Sequence, residues 1–147
     1  MRESFGGVFI IKFLMVFIVF YISFMAIAIN YAKVFRIKNQ VINIIEQNQY
    51  SGNSDINTLD LIEQYLPTVH YFVQEINCES RQNNGQKVEG TNVNGICILP
   101  MSDDDNNQYY KVTAYIKIDF PFFGTNLVVP ISGETKTIHL VREEREV

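Results

Sequence analysis

Residues 6–29 read GGVFIIKFLMVFIVFYISFMAIAI, and this stretch decides how the chain is built. It holds one charge, Lys12, and the 17 residues from Phe13 to Ile29 carry no other. At about 1.5 Å of rise per residue, that run alone makes roughly 25 Å of helix. A bilayer core is about 30 Å thick. Counted from Gly6, with the Lys12 stem reaching back to the headgroups, the span is comfortable. The stretch predicts one transmembrane helix, at about residues 8–29.

Three readings compete for this segment. A cleaved secretory signal needs an apolar core of about 7–15 residues followed by a small-x-small site. Ala26 and Ala28 supply that pattern, but the apolar run is longer. A plain membrane anchor is the second reading. The third draws on the residues that follow. In NYAKVFRIKNQVINIIEQNQ, residues 30–49, Val34, Ile37, Val41, Ile44 and Ile45 share one helical face. Phe35 and Ile42 widen it, while Lys33, Arg36, Gln40, Asn43 and Gln47 line the other face. No Pro or Gly occurs between Val8 and Tyr50. One helix of about forty residues is therefore expected, apolar all round in its first half and amphipathic in its second.

The chain divides into residues 1–50, this helix, and residues 51–147, one small domain. Residues 1–50 carry five Lys/Arg against two Asp/Glu, and residues 51–147 seven against fourteen. An acidic distal domain is a poor nucleic-acid binder, because neutralising phosphates requires Lys and Arg. Cys78 and Cys97 are 19 residues apart, flanking an Asn/Gly-rich loop, and their spacing is no zinc signature. In an oxidising compartment they would form one disulfide; in the cytosol they would be two buried thiols. Charge alone does not orient the helix: Arg2 and Lys12 flank one side, Lys33, Arg36 and Lys38 the other. The cysteine pair and the short N-terminal flank place the C-terminal domain outside the cytoplasm.

Along the distal domain, SDINTLDLIEQYLP (54–67) predicts a short helix stopped by Pro67. Residues 70–78 are rich in strand formers. Residues 79–95 read as a long solvated hairpin loop, 96–100 as the returning strand, and MSDDDNNQ (101–108) as a second polar turn. From Tyr109 to Phe120, Tyr110, Val112, Ala114, Ile116, Ile118 and Phe120 alternate with Tyr109, Lys111, Thr113, Tyr115, Lys117 and Asp119. That period of two predicts a half-buried strand, with Tyr109 and Tyr115 expected to pack under the amphipathic helix. Residues 127–131 and 133–141 predict two more strands, the first an edge strand by virtue of Pro130. The fold class expected is α+β: a long N-terminal transmembrane-plus-amphipathic helix packed on a small antiparallel sheet.

This layout is similar to that of type IV pilin-like proteins. Within that group the chain resembles the TadE-like minor pilins of bacterial tight-adherence pili. Two segments carry the resemblance: SFGGVFIIKFLMVFIVFYISFMAIAINYAKVFRIKNQVI (4–42) and YYKVTAYIKIDFPFFGTNLVVPISGETKTIHL (109–140). It implies a pilin-like fold, a non-enzymatic role in assembling a surface pilus or secretion-related filament, and other pilin-like subunits as partners through the N-terminal helix. It also implies processing at Gly6 or Gly7. Such prepilins carry a Glu five residues after the cut, paired with a neighbour's new amino terminus. Here Lys12 follows Gly7 at that spacing and Ile11 follows Gly6, so no Glu is available: either the chain is not processed like a prepilin, or Lys12 plays a complementary role. Lys12 either snorkels to the headgroups or meets an acidic residue on a partner's transmembrane helix. The alternative function is a stand-alone, single-pass membrane-anchored binding or sensor domain.

No catalytic constellation is expected. His70 and Cys78 lie too far apart along a strand to touch, and Ser132 lacks a GxSxG elbow. Asp103, Asp105 and Asn107 have the 1-3-5 spacing of a calcium loop, with Asp104 between them. The pattern fails at Gln108, where Gly is needed, and at Ala114, where Glu is needed. A solvated turn explains the same residues. No cofactor and no small-molecule substrate are expected, and the predicted location is the cell membrane, in contact with lipid.

Overall fold

The computed structural model describes residues 3–50, 56–73, 76–78, 80–83, 86–104, 107–120 and 125–139. The elements are α1 (Glu3–Gln47), α2 (Ile56–Thr68), β1 (Ser80–Asn83), β2 (Gln86–Glu89), β3 (Thr91–Val93), β4 (Ile96–Asp104), β5 (Asn107–Phe120), β6 (Thr125–Glu134) and β7 (Ile138–His139). The fold is α+β. Contacts divide the chain into two units, Met1–Lys33 and Val34–Val147.

The first unit is helical from Glu3. Its large apolar residues from Val8 to Ile29, Ile27 apart, are 43–74% exposed. A helix that is predominantly apolar and leaves its large apolar side chains exposed has the surface of a lipid-embedded segment. It is long and apolar enough to cross a membrane.

In the second unit, the stripe predicted for the amphipathic half of α1 is buried: Val34 and Ile37, then Val41 and Ile45 with no exposed surface. These residues join Ile62 and Leu66 of α2 and the even-numbered face of β5, Tyr110, Val112, Ala114 and Ile116, in one core. Lys38 is also buried, 6% exposed. Its Nζ lies 3.5 Å from the Ser132 carbonyl and 4.5 Å from the Phe35 ring centre. Gly133 makes room for it: a Cβ there would lie 2.7 Å from Lys38 Nζ.

Both helices end alike. Tyr50 N–H donates to the Ile45 carbonyl and Tyr71 N–H to the Leu66 carbonyl, each across five residues. The residue before each tyrosine has positive φ, Gln49 at 48° and His70 at 52°. This is the Schellman ending, with a hydrophobic residue folding back onto the last turn. It replaces the expected stop at Pro67, which lies inside the last turn of α2 and uses its carbonyl to accept the His70 N–H.

The main sheet is antiparallel, in the order β3-β4-β5-β6, with β7 also on β5. Several local expectations are corrected. Residues 70–73 and 76–78 form no strand. Residues 79–95 contain more than a loop: β1 and β2 make a separate hairpin, and β3 turns into β4 through Asn94 and Gly95. These two have φ of 48° and 88°, the paired positive values of a type I′ turn. The turn predicted at 101–108 narrows, because β4 continues to Asp104 and β5 begins at Asn107. Strands expected at 127–131 and 133–141 are instead one strand through Pro130, then two-residue β7. Between them, Thr135 donates its N–H to the Tyr110 carbonyl and accepts the Tyr110 N–H on Oγ1, both at 2.9 Å. Between the pairs Lys111–Glu134 and Gln108–Ile138, three residues (135–137) face two (109–110), which is a bulge.

The register also explains both strand prolines. Tyr110 bonds toward β6, so Tyr115, five residues on, bonds toward β4. Counting outward, Pro100 of β4 opposes Tyr110, and Pro130 of β6 opposes Tyr115. Each ring nitrogen therefore points away from β5, and no internal ladder bond is lost. β6 is an edge strand, as Pro130 suggested.

Tyr109 and Tyr115 do not pack under the amphipathic helix. They share the odd-numbered face of β5, opposite to the core residues. There Tyr115 Oη lies 3.9 Å from Cys97 Sγ, and Leu99, Lys111 and Thr113 are its neighbours.

Candidate functional site

Features with functional chemistry emerge in both units. In the first unit, Gly6, Gly7 and Lys12 all lie in α1 and are exposed. Nothing lies within 4 Å of where a Cβ on Gly6 or Gly7 would sit. Apart from their own helix, nothing described in the chain packs against either glycine. Ser23 Oγ donates to the Val19 carbonyl at 2.9 Å, which satisfies its proton inside the helix.

In the second unit, Cys78 and Cys97 are joined by a disulfide with Cα atoms 5.5 Å apart. Cys97 is on β4 and 4% exposed, so the bond pins residues 76–78 to the sheet face opposite the core. Asn92 Nδ2 donates to the Ile76 carbonyl at 2.9 Å, and Asn92 Oδ1 accepts the Gly95 N–H at 3.0 Å. One asparagine thereby ties the disulfide-bearing segment to the β3–β4 turn. A disulfide fits an extracytoplasmic domain.

Beside it, Tyr71 reaches into the end of the β4–β5 ladder. Its hydroxyl accepts the Tyr115 N–H at 2.9 Å and lies 3.1 Å from the carbonyls of both Gly95 and Tyr115. Burial, opposed by the Tyr115 N–H bond, pushes the phenol up to about 12.

A cleft of about 510 Å³ opens between the β1–β2 hairpin and the main sheet, floored by Ile98 and Tyr110 and walled by Tyr50, Thr91, Pro100 and Gln108. Lys87 and Glu89 stand at its rim, paired at 3.0 Å with side chains 64% and 73% exposed. The Tyr50 and Tyr110 rings meet edge to face, 4.8 Å apart. The lining mixes aromatic, aliphatic and uncharged polar side chains, and the Lys87–Glu89 pair at the rim is solvated. The sequence reading missed the cleft, because it treated the hairpin that forms one wall as loop.

The calcium candidate lies outside the described residues: Asp105 is not described, nor are the side chains of Asp103, Asp104 and Asn107. Among the described residues, no group of three His, Cys, Asp or Glu is placed to hold a metal. His70 occupies its helix ending and Cys78 its disulfide, so this pair supplies no thiolate and base.

No protein-family model matches the chain, and no curated protein or solved structure matches it.

Proposed function

We infer that the protein is a non-enzymatic, single-pass membrane subunit of pilin-like type, resembling the TadE-like minor pilins. Its C-terminal domain stands outside the cytoplasm and it contributes to assembling a surface pilus or secretion-related filament. One observation carries this reading. A single helix, Glu3–Gln47, supplies both the exposed apolar segment and the buried stripe Val34–Ile45 on which the disulfide-closed α+β domain is built. An anchor needs only the first half. A spine shared by tether and domain is what a subunit requires if helix contacts are to set the positions of its domains.

The test is the mass of the N-terminal peptide from native membranes, combined with crosslinking. A new terminus after Gly6 or Gly7, with self- or subunit-crosslinks from a cysteine placed at Val16 or Ile22, is the expected result. An intact Met1 or a cut after Ala28, with a purely monomeric product, gives the role to a stand-alone anchored binding or sensor domain.

A further inference from the structure

The membrane segment has two chemically distinct sides. At about 100° per residue, Lys12, Ser23 and Asn30 fall within about 20° of one another around the helix. Apart from Tyr21, they are the only residues with polar side chains from Val8 to Asn30. Val16, Val19 and Ala26 complete that side. The five phenylalanines of the same stretch, Phe9, Phe13, Phe17, Phe20 and Phe24, fall within an arc of about 80°, centred roughly 90° away. A helix surrounded only by lipid has no reason to sort its residues this way. Snorkelling accounts for Lys12 and the edge of the span for Asn30; neither explains why both share one side with Ser23, 11 residues after Lys12. Polar side chains in a span face protein, and small neighbours let helix backbones approach.

Charge decides what covers this side. A second copy in register would set Lys12 against Lys12, and the chain has no Asp or Glu between Ser4 and Ile45 to offer instead. We propose that the Lys12–Ser23–Asn30 side packs against the transmembrane helix of a different protein, one that carries a carboxylate at the depth of Lys12. The phenylalanine side faces lipid. Ser23 has its proton committed to the Val19 carbonyl, so it offers lone pairs to a donor on that partner. The inference rests on the reading that the segment crosses a membrane.

The experiment uses the full chain in its native membranes, with p-benzoylphenylalanine at Val19 or, separately, at Phe20. Carbonate extraction is run in parallel. The expected result is a photo-adduct from position 19 to another membrane protein with an Asp or Glu inside its span, and little adduct from position 20. Lys12→Gln should weaken the adduct about tenfold, Lys12→Arg should keep it, and Lys12→Glu should be rescued by changing the captured carboxylate to Lys. Equal adducts from both positions, adducts to a second copy alone, or no loss with Lys12→Gln would overturn the proposal while the carbonate-resistant chain still spans the membrane. Release by carbonate would overturn the membrane reading itself, and the proposal with it.

Discussion

The Tyr71 hydroxyl occupies a backbone position in the sheet: it takes the Tyr115 N–H at 2.9 Å where β4 has already turned away at Gly95. A side chain from outside the sheet thus extends the β4–β5 ladder by one step.

This bond has a pH signature. The phenol is held up to about 12, against 10.0 ordinarily, chiefly by burial. The unfolded chain loses this proton near pH 10 and the folded chain keeps it to about pH 12. The contribution is therefore whole below pH 10 and falls by about 1.4 kcal/mol per pH unit through that window. Tyr71→Phe should remove this alkaline loss. It should also lower stability at neutral pH by about 1–3 kcal/mol, because the Tyr115 N–H is left buried without its partner. Urea unfolding of the detergent-solubilised chain between pH 7 and 12 measures both.

Two glycines separate by what surrounds them. At Gly95, φ is 88° and a Cβ would lie 2.6 Å from the Val73 carbonyl oxygen. Gly95→Ala should cost on the order of 3 kcal/mol, from backbone strain and a clash with main chain. At Gly133 the obstacles are the ends of the Lys38 and Ile42 side chains, which can swing aside. Gly133→Ala should cost about 1 kcal/mol or less. Thermal melts of the two variants should rank them in that order.

The helix endings give a prediction of opposite sign. Gln49 and His70 hold positive φ without being glycine. Replacing either with Gly should stabilise the domain by about 0.5–1 kcal/mol, since the left-handed conformation is free of Cβ strain in glycine. Both side chains are exposed, so neither replacement removes a buried contact.

Reducing the Cys78–Cys97 bond, 19 residues apart, should lower stability by about 3 kcal/mol in the chain-entropy picture. The loss should be greatest around residues 76–78 and the β3–β4 turn, which Asn92 couples. Hydrogen exchange with and without reductant reads this directly.

Glu46 fastens the end of α1 to the bulge, accepting the Lys136 N–H at 2.8 Å. Glu46→Ala should cost about 1.5–3 kcal/mol, as for a hydrogen bond to a charged group, and Glu46→Gln less. Faster exchange of the Lys136 amide reports the loss in either variant.

What the sequence made legible was periodic. The stripe from Val34 to Ile45 and the alternation from Tyr110 onward each declare a buried face over several turns or pleats; both are buried for the most part, with Ile44 and Ile118 only partly covered and Phe35 exposed. What it hid was set by partners distant in the chain. Whether Pro100 ends a strand depends on which side of β4 is free, and Tyr71 looks like a strand residue until β5 lies beside it. The Asn94–Gly95 turn was readable as a hairpin signal, but the polar residues before it outweighed it. At the candidate site, Lys12 and the cysteine pair were visible from composition and spacing, whereas Gly6 and Gly7 were marked only by the resemblance to pilin-like proteins. The cleft was not, since its wall is a hairpin that folds back from the segment between the cysteines.

Pro100 and Pro130 have a consequence beyond their own strands. Anchoring to a membrane crowds identical domains into two dimensions, where exposed sheet borders meet often and in similar orientations. An incoming strand would find a missing donor on β4 and another near the middle of β6. Neighbouring copies can then collide repeatedly without zipping into a continuous sheet.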